Sequence, residues 1–175
     1  SVDKGYWGIE NLAFIPGTVG AAPMQNIGAY GTELEDTLEN VEAYEIQTAQ
    51  KRIFSKEECE LAYRSSVFKN NLKGKYFILT ITLRLSKKEN KNIDYNVLAE
   101  YLKINNIEVR TSKDISDAVE AIRRSKLPNP AVIGNAGIFF KNVFVDNNKF
   151  QELKSLYMIM PSFQEDNNIK IPAAC

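Results

Sequence analysis

The chain has 175 residues, 44% of them apolar, and carries 22 basic against 22 acidic side chains. Such a length supports one domain, or one domain with part of a second, built on a real core. Zero net charge argues against a nucleic-acid or polybasic membrane surface, and no apolar run approaches a bilayer span, so neither a nucleic-acid partner nor membrane insertion is expected.

There is no histidine. His-based triads and metal cages are therefore excluded, no metal site is expected, and proton chemistry falls to Tyr, Ser, Lys or carboxylates. Cys59 and Cys175 offer neither a disulfide framework nor zinc spacing. They read as free thiols of a reducing compartment, the cytoplasm. Residues 1–6 lack the charged lead and apolar stretch of a signal peptide.

Six of the nine glycines fall at or before residue 31: Gly5, Gly8, Gly17, Gly20, Gly28 and Gly31. Small residues and the pair Gln25-Asn26 lie between them. The stretch reads either as tight turns or as backbone laid against a flat or anionic ligand. Residues 32–38 are short and acidic, with helical character. Residues 41–48 and 51–54 alternate loosely and predict a hairpin turning at Ala49-Gln50. Residues 56–61 predict a short helix, capped by Ser55 with Glu58 in capping-box position. The clearest strand is 76–85, where Phe77, Leu79, Ile81, Leu83 and Leu85 form one apolar face.

After Ser86 a charged connector leads to two predicted helices, 96–104 and 112–124. Ser112 is the expected N-cap of the second, with Asp114 in its first turn and Arg123-Arg124 in its last. Pro128 and Pro130 stop it. Gly134 and Gly137 bracket a turn, residues 146–157 form an amphipathic helix, and the tail from Pro161 shows no further element. The expected organisation is a β-rich part, 1–86, a helical connection, 87–125, and a smaller unit, 126–175.

Three constellations could carry chemistry. Arg64, within Tyr63-Arg64-Ser65-Ser66, suits a bidentate carboxylate clamp, or is an ordinary surface arginine. Arg123, Arg124 and Lys126 suit a diphosphate, or simply balance the helix dipole. The stretch 134–142 lets backbone approach a ligand, with Lys141 and Asn142 as polar contacts, or is a β-turn entering an aromatic strand.

Together these segments resemble a known family. ENLAFIPGTVGAAPMQNIGAYG is similar to the flavin-contacting segment of the UDP-N-acetylenolpyruvoylglucosamine reductases. LAYRSSVFK resembles their Tyr-Arg-x-Ser-x-Phe-Lys motif, and SKLPNP with GNAGIFFKN resembles their substrate-domain motif. The order matches across nearly the whole chain. The resemblance implies an α+β fold: part of a vanillyl-alcohol-oxidase-like FAD-binding domain, then a smaller α+β substrate domain. It implies FAD as cofactor, NADPH as co-substrate, and reduction of UDP-N-acetylglucosamine enolpyruvate to UDP-N-acetylmuramate for peptidoglycan, by a monomer.

By the same resemblance Arg64 stabilises the intermediate, while Tyr30, Tyr95, Lys126 and Asn142 contact substrate. Pro16, Gly17, Gly20, Gln25, Asn26, Ile27 and Gly28 face the FAD. The family motif has serine, the proton donor, where this chain has Ile138, and Ser65, Ser66 or a water is left to substitute. The pyrophosphate-binding loop and the catalytic glutamate of the family have no counterpart in these 175 residues. The expectation is therefore half of a flavin site with little or no turnover alone; the alternative is a UDP-sugar or flavin-binding module without turnover.

Overall fold

A computed structural model describes residues 1–129, 132–134, 140–165 and 167–173. The chain divides into two compact units, Ser1–Leu127 and Pro128–Cys175.

The first unit begins with short 3-10 helices at Val2–Lys4, Glu10–Leu12 and Val19–Gln25. A two-residue hairpin follows, β1 (Gly28–Ala29) with β2 (Thr32–Glu33). Next comes a 3-10 turn at Leu34–Asp36, which replaces the helical character expected for 32–38. β3 (Leu38–Glu45), β4 (Lys51–Ser55) and β5 (Tyr76–Leu83) form an antiparallel sheet in the order β4-β3-β5. The hairpin expected around Ala49-Gln50 is present. The helix expected at 56–61 shortens to one 3-10 turn, Glu57–Cys59, because Glu60 enters the left-handed region and ends it.

β5 does not present one apolar face. Its register to β3 slips at Leu79, with Ala43 opposite Ile78 and Glu42 opposite Thr80. An extra residue in one strand reverses the alternation beyond it. Tyr76 and Ile78 therefore pack on the same side as Ile81 and Leu83, while Phe77 and Leu79 face outward. A second slip near Glu39 does the same on β3, bringing Leu38 into line with Val41 and Ala43. The inner face closes on Phe54, Phe68, Val67, Leu34 and Cys59. Phe68 and Tyr76 each meet the Phe54 ring edge-on at 5.0 Å.

α1 (Asn96–Ile104) and α2 (Ser112–Lys126) form a second core with Trp7, using Leu98, Leu102, Ile115, Val119 and Ile122. The cap of α2 is Thr111, not Ser112, which is buried. The Asp114 carboxylate accepts from the Thr111 and Arg110 amides at 2.7 and 3.0 Å. Those two donors precede the helix, which places its start one residue earlier than the serine suggests.

In the second unit Asp146 caps α3 (Asn147–Leu156), accepting from the Lys149 amide at 2.8 Å. The tail after Pro161 does contain further structure. β7 (Phe163–Glu165) and β8 (Asn168–Ile171) join β6 (Val143–Val145) in the order β6-β8-β7. These strands are three or four residues long, too short for their alternation to register in sequence.

Candidate active site

The Tyr-Arg-Ser-Ser segment and the Gly-rich segment fold into one site. Arg64 sits in the left-handed region, φ 52°, a conformation that costs a non-glycine residue about 1–3 kcal/mol and persists only where its surroundings enforce it. The Arg64 side chain supplies that enforcement. Nη2 donates to the Gly28 carbonyl oxygen at 2.8 Å, and Nη1 to the Asn26 carbonyl oxygen and Glu33 Oε1, both at 3.3 Å. The guanidinium also lies over the Tyr63 ring, 4.9 Å from its centroid.

Asn26 is fully buried with φ 45°. Its Nδ2 donates to Glu33 Oε2 at 2.7 Å and to the Ala62 carbonyl oxygen at 3.3 Å, and its Oδ1 accepts from the Glu35 amide. Buried Ser66 donates to the Met24 carbonyl oxygen at 2.7 Å. Ser65 Oγ accepts from Asn70 Nδ2. Burial raises the Glu33 carboxyl above its ordinary value, partly offset by Arg64.

Tyr30, also in the left-handed region at φ 49°, meets Tyr95 edge-on with ring centroids 5.5 Å apart. Buried Asn11 holds this turn by donating to the carbonyl oxygens of Tyr30 and Asn92 at 2.8 Å each. Asn92 in turn donates to the Gly31 carbonyl oxygen. Burial raises the Tyr30 phenol, Arg123 opposes that shift, and Tyr95 adds to it.

Pro16, Gly17, Gln25 and Ile27 line a cavity of about 340 Å³, with Ile9, Glu10 and others. Gly20, Asn26 and Gly28 lie outside that lining. Gly20 sits against the backbone of β5, Asn26 is buried beneath the loop, and Gly28 faces Arg64 and Glu33. Glu10 is buried and accepts from the Gly8 amide at 2.6 Å.

Two members of the basic cluster are already engaged. Arg123 Nε donates to the Phe14 carbonyl oxygen at 3.0 Å, and the Arg124 guanidinium lies 4.2 Å from the Phe14 ring centroid. They pin the turn before Pro16-Gly17. Lys126 is exposed at the end of α2. In the second unit Asn142 Oδ1 accepts from the Ala173 amide at 3.0 Å. Ile138 lies outside the described residues. Sequence reasoning misses Glu33, Asn11 and Asn92: Glu33 is a polar residue just after the glycine-bounded turn at 28–31, whereas Asn11 and Asn92 lie far from that turn in the chain and meet it through the fold.

No protein-family model matches the chain. It is 50% identical over 174 residues to the UDP-N-acetylenolpyruvoylglucosamine reductase of Amoebophilus asiaticus, covering 99% of this chain and 51% of that protein. It is 45% identical to that of Bdellovibrio bacteriovorus and 42% to that of Pseudomonas aeruginosa, with the same coverage. The crystal structure of UDP-N-acetylenolpyruvylglucosamine reductase from Thermus caldophilus matches 98% of this chain and 55% of its own, with a TM-score of 0.53 at 19% identity. That likeness extends the mixed helix-and-sheet fold to a solved structure. The chain spans about half the length of the curated relatives it matches, and over that span it is similar to a segment of the UDP-N-acetylenolpyruvoylglucosamine reductases.

Proposed function

We propose that this chain carries the substrate-facing part of a flavin-dependent reductase. NADPH drives it, and its reaction turns UDP-N-acetylglucosamine enolpyruvate into UDP-N-acetylmuramate, a peptidoglycan precursor, in the cytoplasm. In this reading 1–86 belongs to a vanillyl-alcohol-oxidase-like FAD-binding domain, 87–125 connects, and 126–175 is part of the substrate domain. The observation that carries it is the fixing of Arg64 onto the Gly-rich segment through Asn26, Gly28 and Glu33.

The residues fit a flavin. The cavity beside Pro16 and Gly17 is lined mainly by apolar side chains, with Gln25 as a polar contact, and its size falls within the roughly 300–1,000 Å³ of small-molecule sites. When bound, FAD supplies the hydride that it receives from NADPH. Pro16, Gly17, Gln25 and Ile27 would hold it, while Gly20, Asn26 and Gly28 shape the loop behind them. The Arg64 guanidinium offsets negative charge building on the substrate carboxylate. Tyr30 and Tyr95 form an aromatic wall, and Lys126 and Asn142 contact the UDP-sugar.

Ile138 stands where the family motif has serine and cannot give a proton, a loss worth about 10²–10⁴-fold in rate. The 175-residue chain, a monomer in this reading, is therefore expected to show little or no turnover alone. The same residue favours a second reading, a UDP-sugar or flavin-binding module without turnover. Flavin absorbance of the purified chain, calorimetry with the enolpyruvyl UDP-sugar, and substrate-dependent NADPH oxidation test both. Flavin absorbance, with a substrate-dependent rate that rises in Ile138→Ser, supports the reductase reading. A colourless chain that takes up the UDP-sugar with no such rate supports the module, and a chain that takes up neither ligand defeats both.

A further inference from the structure

Among the described residues, Glu33 is the carboxylate that meets Arg64. One of its oxygens accepts from Arg64 Nη1 at 3.3 Å and the other from Asn26 Nδ2 at 2.7 Å. Asn26 is fully buried and tied to the Ala62 carbonyl oxygen and the Glu35 amide. The carboxylate is thus anchored by a rigid neighbour on one side and spans to the guanidinium on the other. Arginine has five N–H donors. Three contacts, to Gly28, Asn26 and Glu33, lie on Nη1 and Nη2, and an arginine anchored on one edge keeps its other N–H groups for a planar acceptor. A mobile guanidinium would lose rotamer freedom when a ligand arrives; one held beforehand does not.

We propose that Glu33 is the positioning residue of Arg64: held by Asn26, its carboxylate fixes the guanidinium against the Gly28 backbone and leaves the remaining N–H groups to receive an incoming carboxylate. The inference rests on the carboxylate-clamp reading of Arg64, but the ordering of Arg64 by Glu33 can be measured without any ligand. The rival role for Glu33 is local. It caps the 3-10 turn Leu34–Asp36: its carboxylate accepts from the Asp36 amide, and its own amide donates to Asp36 Oδ2 at 2.8 Å. Glutamine keeps that length and that amide but removes the charge.

The test is low-temperature ¹⁵N NMR of the arginine Nη–H groups in the whole chain, with the Arg64 signals assigned by their absence in Arg64→Lys. In Glu33→Gln the Arg64 Nη1–H groups should exchange about tenfold faster, the loss of one charge-assisted hydrogen bond. Glu33→Asp should recover part of the protection. Unchanged Arg64 exchange in a folded Glu33→Gln chain overturns the proposal. Should the glutamine variant fail to fold, the aspartate variant decides: intermediate exchange supports the proposal, and wild-type exchange overturns it. Calorimetry with the enolpyruvyl UDP-sugar separates the underlying reading. If the wild-type chain does not bind it, the clamp reading fails whatever the NMR result. If it does bind, Glu33→Gln should weaken affinity, and undiminished affinity overturns the positioning role.

Discussion

The Arg64 guanidinium occupies space that a side chain at Gly28 would need. A Cβ on Gly28 would stand 2.8 Å from Nη1 and 2.9 Å from Glu33 Cγ, while Nη2 donates to the carbonyl oxygen of that same glycine. Gly28→Ala is therefore expected to expel either the guanidinium or the Glu33 side chain. The cost of such overpacking is about 1–3 kcal/mol, read by urea unfolding. Gly5→Ala is the useful contrast, since a Cβ there meets nothing within 4 Å and only its φ of 72° is strained. If the Gly28 variant retains wild-type affinity for the enolpyruvyl UDP-sugar, Arg64 does not need its present seat.

The sequence exposes those parts of the fold that depend on local pattern. α1 runs Asn96–Ile104 as its periodicity predicts, and LPNP ends α2. It conceals what depends on a single inserted residue. The slip at Leu79 leaves β5 looking like a clean period-two strand while splitting its apolar side chains between two faces. The site is concealed for a related reason. Phe14, Asn26, Tyr30 and Arg64 all adopt positive φ without being glycine, and residue identity gives no warning of that. Motif wording draws attention to Arg64 and Tyr30. It names Asn26 without its bonds to Glu33 and Arg64, and it gives no hint of Glu33 or of the bond from Arg123 to the Phe14 carbonyl oxygen.

The slip at Leu79 separates two substitutions that look equivalent in sequence. Leu79 faces solvent, and Ile81 packs on the sheet core. Leu79→Thr should change stability by no more than about 0.5 kcal/mol, as for surface positions. Ile81→Ala should cost about 2 kcal/mol or more, at the low end for core truncations because Ile81 is only partly buried. Equal losses in urea unfolding would mean that β5 keeps a single register.

Asp114 should make the α2 terminus sensitive to acid. Its carboxylate accepts from the Arg110 and Thr111 amides, which hold its pKa below the ordinary aspartate range. A depressed folded pKa means that the native state favours the ionised form. The contribution is therefore present above the unfolded value and lost as pH falls through the folded one. Asp114→Asn should cost about 0.5–1 kcal/mol at neutral pH, discounted for exposure. The wild type and variant should converge once the pH has fallen below the folded-state value, which lies under the ordinary aspartate range. A gap that persists there would show that the effect is not the carboxylate's charge.

Tyr30 offers a direct reading of the electrostatics around the site. Burial raises its pKa, Arg123 pulls it down, and Tyr95 pushes it further up. Removing the cation with Arg123→Gln should move the Tyr30 titration higher, and Tyr95→Phe should move it lower. Arg123 also donates to the Phe14 carbonyl oxygen, so a structural shift could imitate the first effect. Arg123→Lys keeps the charge without the planar fork and should restore most of the wild-type value. A raised tyrosine pKa favours the neutral phenol in the native state. Its stabilising contribution is complete below the unfolded value near 10 and disappears as pH rises through the folded one. Ultraviolet difference titration, with the Tyr30 signal identified by its loss in Tyr30→Phe, measures all three variants. If Arg123→Gln and Arg123→Lys shift the phenol equally upward, the guanidinium acts on Tyr30 through the Phe14 turn and not through its charge.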